Sequence, residues 1–166
     1  MEDPVVVFLD FDGVLRPAPD SALDANAGQA GKQEAFVWLP ILAKLLEPHP
    51  EVKIIVSSDR RCGANDEELK TLLGPLGVRF FGVVENYDEL SRAAEIRAEV
   101  TRRGLSRWLA IDDHSSIVVA AGGEPAFVAC DPRLGLNCAS VQSEIREKLL
   151  KITRRSIAGD AGAGQP

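Results

Sequence analysis

The chain has 166 residues, 45% of them hydrophobic and 27% charged, with a formal net charge of −6. That is the length of one domain with enough apolar residues for a core, which excludes disorder throughout, and the acidic balance disfavours nucleic-acid binding by field alone. No apolar stretch reaches the roughly 20 residues that cross a bilayer, and no basic region with a small-residue cleavage site opens the chain, so a cytoplasmic protein without membrane contact is expected.

Val5 to Asp10 is a continuous apolar run ending in Asp10-Phe11-Asp12-Gly13-Val14. Such a run reads as a buried parallel strand, and open α/β sheets place ligands at the carboxyl ends of their strands. Pro17 to Lys32 is rich in Ala, Gly, Asp and Pro and reads as a long loop. A helix over Gln33 to Glu47 then stops at Pro48-His49-Pro50. The second strand, Val52 to Ser57, runs on into Ser58-Asp59, and Asn65 to Leu73 is helical up to Gly74-Pro75. Val78 to Val84 is the third strand, Tyr87 to Arg103 a helix closed by Gly104, and Trp108 to Asp112 the fourth strand, ending in Asp112-Asp113. Ser115 to Ala121, a strand over Ala126 to Cys130, and a helix over Ala139 to Arg154 complete the order. Five strands alternating with helices predict an α/β fold: a Rossmann-like three-layer sandwich with a five-stranded parallel sheet and helices on both faces. One domain over 1–155 and a disordered tail over 156–166 are expected. Cys62, Cys130 and Cys138 are odd in number and lack C-x-x-C spacing, so neither a disulfide framework nor a zinc site is indicated, and Cys130 is expected in the core.

If the first and fourth strands are neighbours, four carboxylates share one sheet edge. Like charges a few ångströms apart raise one another's pKa, so the cluster calls for a cation. Oxygen ligands without His or Cys favour a hard ion, and Mg²⁺ takes one or two carboxylates plus water and substrate phosphate. A hydroxyl of Ser57 or Ser58 is placed to hydrogen-bond a phosphoryl oxygen.

These residues resemble the haloacid dehalogenase-like phosphohydrolases, whose hallmarks are a D-x-D-G-[TV] strand end, a Ser/Thr strand end, a basic residue on a later helix and a final acidic pair. The match runs through Asp10-Phe11-Asp12-Gly13-Val14, Ser57 or Ser58, Arg92 and Asp112-Asp113. It covers about Val5 to Leu150 and looks most like small capless members, some of which occur as domains of RNA-repair proteins. The resemblance implies a Mg²⁺-dependent phosphomonoesterase working through an aspartyl-phosphate. Asp10 would be the nucleophile and Asp12 the proton carrier. The metal site would draw on Asp10, Asp12, Asp112 and Asp113, with Asp112 joined by Asp10 and the Phe11 carbonyl and with Asp113 either a ligand or an orienting group. Ser57, Ser58 and Arg92 would bind the substrate phosphate, with Arg97 as the substitute for Arg92, which stands where the family more often has lysine.

Arg16, Arg60 and Arg61 lie just past the strand ends, where they suit solvated loops, a second phosphate or a nucleic-acid backbone. His114 is either a helix-start residue or a group near the site. The basic end of the last helix, Lys148, Lys151, Arg154 and Arg155, is explained by the helix dipole. With no room for a cap domain, the open site suits a phosphorylated substrate of bulky, macromolecular type, a nucleic-acid end among them. Two rivals remain. A catalytically silent relative would act as a binding module. A phosphoacceptor receiver domain would need an Asp at the end of the third strand and a Lys at the end of the fifth, where this chain has Val84-Glu85 and Cys130-Asp131.

Overall fold

The computed structural model describes residues 3–19 and 36–154. The expected tail over 156–166 and most of the Pro17 to Lys32 loop lie outside them. Five strands form one parallel sheet in the order β3-β2-β1-β4-β5, with β1 (Val5–Leu9) at its centre. β2 (Lys53–Val56) and β4 (Arg107–Asp112) flank β1, with Leu9 beside Val56 on one side and Ile111 on the other. β3 (Phe80–Val83) and β5 (Phe127–Ala129) close the edges.

All five residues of β1 are buried because both faces of the sheet are covered. Val5, Val7 and Leu9 point into one core and Val6 and Phe8 into the other, the period of two that a strand imposes. On the first side stand α1 (Leu39–Leu46), α2 (Asp66–Leu72) and α5 (Ala139–Thr153), contributing Leu42, Leu46, Leu69, Ile145 and Leu149. On the second stand α3 (Arg92–Arg103) and α4 (Ser115–Ala121), contributing Ala93, Ile96, Ile117 and Ala120. Trp108 sits edge-on between Phe8 and Phe127, at 5.8 and 5.3 Å between ring centres. The Rossmann-like three-layer sandwich is thus the observed fold, and Cys130 is buried in its core.

Element ends differ from expectation where local chemistry intervenes. α3 starts at Arg92 rather than Tyr87, because the Ser91 side chain accepts the N–H of Ala94 and caps the helix there. β3 starts at Phe80 rather than Val78, since Gly74–Arg79 coils into a 3-10 turn that leaves Val78 exposed. α1 starts at Leu39, with Pro40 in its first turn. Gly104 closes α3 at φ +65°, as its position suggested. Between β2 and α3 the chain spends its residues on two 3-10 turns, α2 and β3, so no cap domain is inserted there. No described helix is long and apolar enough to cross a membrane.

Candidate active site

Because β1 and β4 are neighbours, Asp10 and Asp112 emerge side by side at the carboxyl edge, and the Asp10 N–H donates to the Ile111 carbonyl at 3.2 Å. The chain then turns sharply. The Phe11 carbonyl accepts the N–H groups of Val14 (3.1 Å) and Leu15 (2.8 Å), while Gly13 donates to the Arg16 carbonyl at 2.8 Å. The Phe11 carbonyl thus serves the turn. Gly13 has φ +85°, and a Cβ there would collide with the Asp113 carboxylate. Glycine is needed both for the turn and for the approach of the acidic pair.

Asp10, Asp112 and Asp113 each offer an oxygen within 4.8 Å of the others. Asp10 and Asp112 are almost wholly buried. Burial, then the Asp112 carboxylate, pushes the Asp10 carboxyl up to about 10, with Asp113 adding to the rise and Arg92 opposing it. Asp112 is also raised, chiefly by burial, against the pull of Arg92 and of the His114 N–H, which donates to its Oδ1 at 2.9 Å. The pair holds on to a proton at neutral pH unless a cation replaces it. Three clustered oxygen donors without nitrogen or sulfur fit a hard divalent ion.

Asp12 stands outside this group. Its carboxylate takes Arg16 Nε at 2.5 Å and Arg60 Nε at 3.2 Å and lies outside the cluster of Asp10, Asp112 and Asp113. Two guanidinium groups compete for it instead.

Arg92 is the first residue of α3, and its buried guanidinium reaches into the acid cluster. Nη1 lies 3.1 Å from Asp112 and 3.7 Å from Asp10, Nη2 2.7 Å from Asp59, and Nε 3.7 Å from Glu95. Arg97 is one turn and more further on, pairs with Glu124 and lies over Phe127, away from the site. Of the two arginines considered, Arg92 is the one at the acids.

The two serines also part company. Ser58 lines a cavity of about 220 Å³ with Asp10, Asp12, Arg60, Arg92 and the acidic pair, and its Oγ accepts the Arg60 N–H at 3.3 Å. Ser57 Oγ is buried, without a hydrogen-bond partner among the described residues, and does not line the cavity. His114 caps α4 through its ring, which accepts the Ser116 N–H at 3.2 Å, and it borders the same cavity.

Arg61 is not a solvated loop residue. It is buried, donating to the carbonyls of Val84 (2.9 Å), Ser57 (2.9 Å) and Ser58 (3.1 Å), and it pairs with Glu95 at 3.1 Å. Its fork thus ties the ends of β2 and β3 to α3. Two residues not singled out from sequence complete the site. Asp59 pairs with Arg92 and lines the cavity, and its signal was its place directly after the serine strand end. Glu95 lies between Arg61 and Arg92, and its signal was the i,i+3 spacing from Arg92.

A parallel sheet whose central strand ends in Asp10, with an acidic pair on one neighbouring strand, a serine end on the other and a buried arginine above them, defines a haloacid dehalogenase-like domain. Residues 6–141 match the family described as the HAD domain in Swiss Army Knife RNA repair proteins, and the chain belongs to that family. No curated protein and no solved structure matches it.

Proposed function

We propose that this domain is a Mg²⁺-dependent phosphomonoesterase in which Asp10 is the nucleophile. The observation that carries the reading is the convergence of Asp10, Asp112 and Asp113 beside the buried Arg92, in one cavity with Ser58. Asp10, Asp112 and Asp113 would hold the metal, which neutralises the carboxylates and polarises the phosphoryl group.

The remaining work falls to side chains of the chain. Arg92 and the Ser58 hydroxyl hold the non-bridging oxygens of the phosphoryl group, with the Arg92 fork also compensating charge as it develops. An Asp10 oxygen attacks phosphorus as the ester P–O bond breaks, giving an aspartyl-phosphate, and Asp12 gives its proton to the leaving oxygen. Water then attacks phosphorus and passes a proton to Asp12, which breaks the Asp10–phosphate bond and regenerates both carboxyls. For either transfer Asp12 has to leave the guanidinium groups of Arg16 and Arg60.

The described gap between β2 and α3 holds no cap, which suits a bulky substrate that covers the site itself. The family's description places its domains in RNA-repair proteins, which favours a phosphorylated nucleic-acid end over a small metabolite. The test is hydrolysis of an aryl phosphate and of phosphate-ended oligonucleotides with and without Mg²⁺, with Asp10→Asn and Asp12→Asn as controls. Metal-dependent turnover that is lost in Asp10→Asn supports the reading. Equal rates for wild type and Asp10→Asn on every substrate would replace it with a binding module.

A further inference from the structure

We propose that Arg16 and Arg60 read a second phosphate beside the scissile one, so that the site prefers phosphomonoesters carrying another phosphate group or a phosphodiester next to the ester that is cleaved. The proposal rests on the phosphohydrolase reading for its turnover arm and stands apart from it in its binding arm.

Two separate cationic centres stand at one cavity: Arg92 and Arg60 line it, and Arg16 stands behind Arg60's partner, the lining carboxylate of Asp12. Arg92 is buried and shared among Asp10, Asp112, Asp59 and Glu95, which suits it to the phosphoryl group at Asp10. Arg60 and Arg16 come from different turns, one after β2 and one after β1, and meet on the single carboxylate of Asp12. Arg60 reaches it with a fork, Nε at 3.2 Å and Nη2 at 3.5 Å, and lies over the Phe36 ring at 5.8 Å from its centre. Its side chain is 37% exposed and that of Asp12 31%, so the pair is open to solvent at the mouth.

A monoester alone has no use for these two arginines, since Arg92 already faces Asp10. They also hold Asp12 in a pose that proton transfer has to undo. The exposed Arg60–Asp12 pair is the weaker of the two, since the Arg16 side chain is only 15% exposed, and a phosphate offers a guanidinium two oxygens in matched geometry. A second phosphate would therefore draw Arg60 away from Asp12 first, with Arg16 following toward the new anion, and let the Asp12 side chain turn toward the leaving oxygen. Recognition of the neighbouring phosphate and release of Asp12 become one event.

The experiment compares a nucleoside 3′-monophosphate, the 3′,5′-bisphosphate and a short 3′-phosphate-ended oligonucleotide at constant ionic strength. Turnover is measured with the wild type and equilibrium binding with Asp10→Asn, both in Mg²⁺. The added phosphate is expected to raise kcat/KM and affinity by roughly 10- to 100-fold, the range of one or two charge-assisted hydrogen bonds. Arg60→Gln and Arg16→Gln should each shrink that ratio several-fold, and Arg60→Lys should restore part of it. A gain with the bisphosphate identifies a free phosphate as sufficient, and a gain confined to the oligonucleotide identifies the backbone diester. A ratio near one in both arms, or a ratio that neither glutamine variant changes, overturns the proposal. If no ester is turned over while the binding ratio persists, the phosphohydrolase reading fails and the second-phosphate site stands.

Discussion

Raising metal-free protein from about pH 5 to about pH 8 is expected to destabilise it, and Asp10→Asn should remove most of that loss. In the unfolded chain the Asp10 carboxyl titrates near 3.8, whereas in the fold it keeps its proton up to about 10. Between those values the unfolded state binds fewer protons than the folded one, so stability falls as pH rises. The loss is absent below the unfolded value and complete above the folded one. At about 1.4 kcal/mol per pH unit, three units set a ceiling of about 4 kcal/mol. Arg92, 3.7 Å from Asp10 and 3.1 Å from Asp112, stabilises a charge shared by the two acids. That attraction is already contained in the raised value, so the ceiling for this pH range stays at about 4 kcal/mol. For a domain of this size that ceiling corresponds to a fall in Tm of about 8–16 °C. The assay is thermal unfolding in chelator across that pH range, wild type against Asp10→Asn, followed by Mg²⁺ addition, which should restore the wild type selectively. Parallel pH profiles for the two proteins would refute the reasoning.

Arg92→Ala should lower kcat by about 10²- to 10³-fold, since it removes a fixed cation from the phosphoryl group, while Arg97→Ala should leave kinetics unchanged; steady-state assays separate the two. Gly13→Ala should cost about 1–2 kcal/mol for the positive φ alone. By pushing Asp113 away it should also weaken Mg²⁺ binding, readable by calorimetry. Arg61→Met should destabilise the fold by about 3–5 kcal/mol in urea titrations, because it leaves buried Glu95 with only the longer contact to Arg92 and removes the donor of three carbonyls.

The sheet was legible because its strands announce themselves. Val5 to Leu9 and Leu109 to Ile111 are apolar on both faces, which only a covered parallel sheet satisfies. Once they are neighbours, Asp10 and Asp112 have to share an edge, so the acid cluster followed from topology. The start of α3 was less legible, since the helix-like stretch from Tyr87 continues into Arg92 and only the Ser91 cap marks the break. The arginines were the least legible. Arg60 and Arg61 are adjacent in sequence, yet one faces the mouth and the other is buried under the ends of β2 and β3. Asp12 meets Arg60 across 48 positions, a contact that exists only because β2 packs against β1. The choice between Ser57 and Ser58 turns on which hydroxyl borders the cavity, and alternation alone does not say so.

The central claim, that Asp10 is the attacking group, is tested most directly by acid-quenching a single turnover in Mg²⁺ and mapping the protein by mass spectrometry. A phosphoryl group on the peptide carrying Asp10, absent from Asp10→Asn and lost as product accumulates, is the predicted result. Product formed at full rate while that peptide stays unmodified throughout would contradict it.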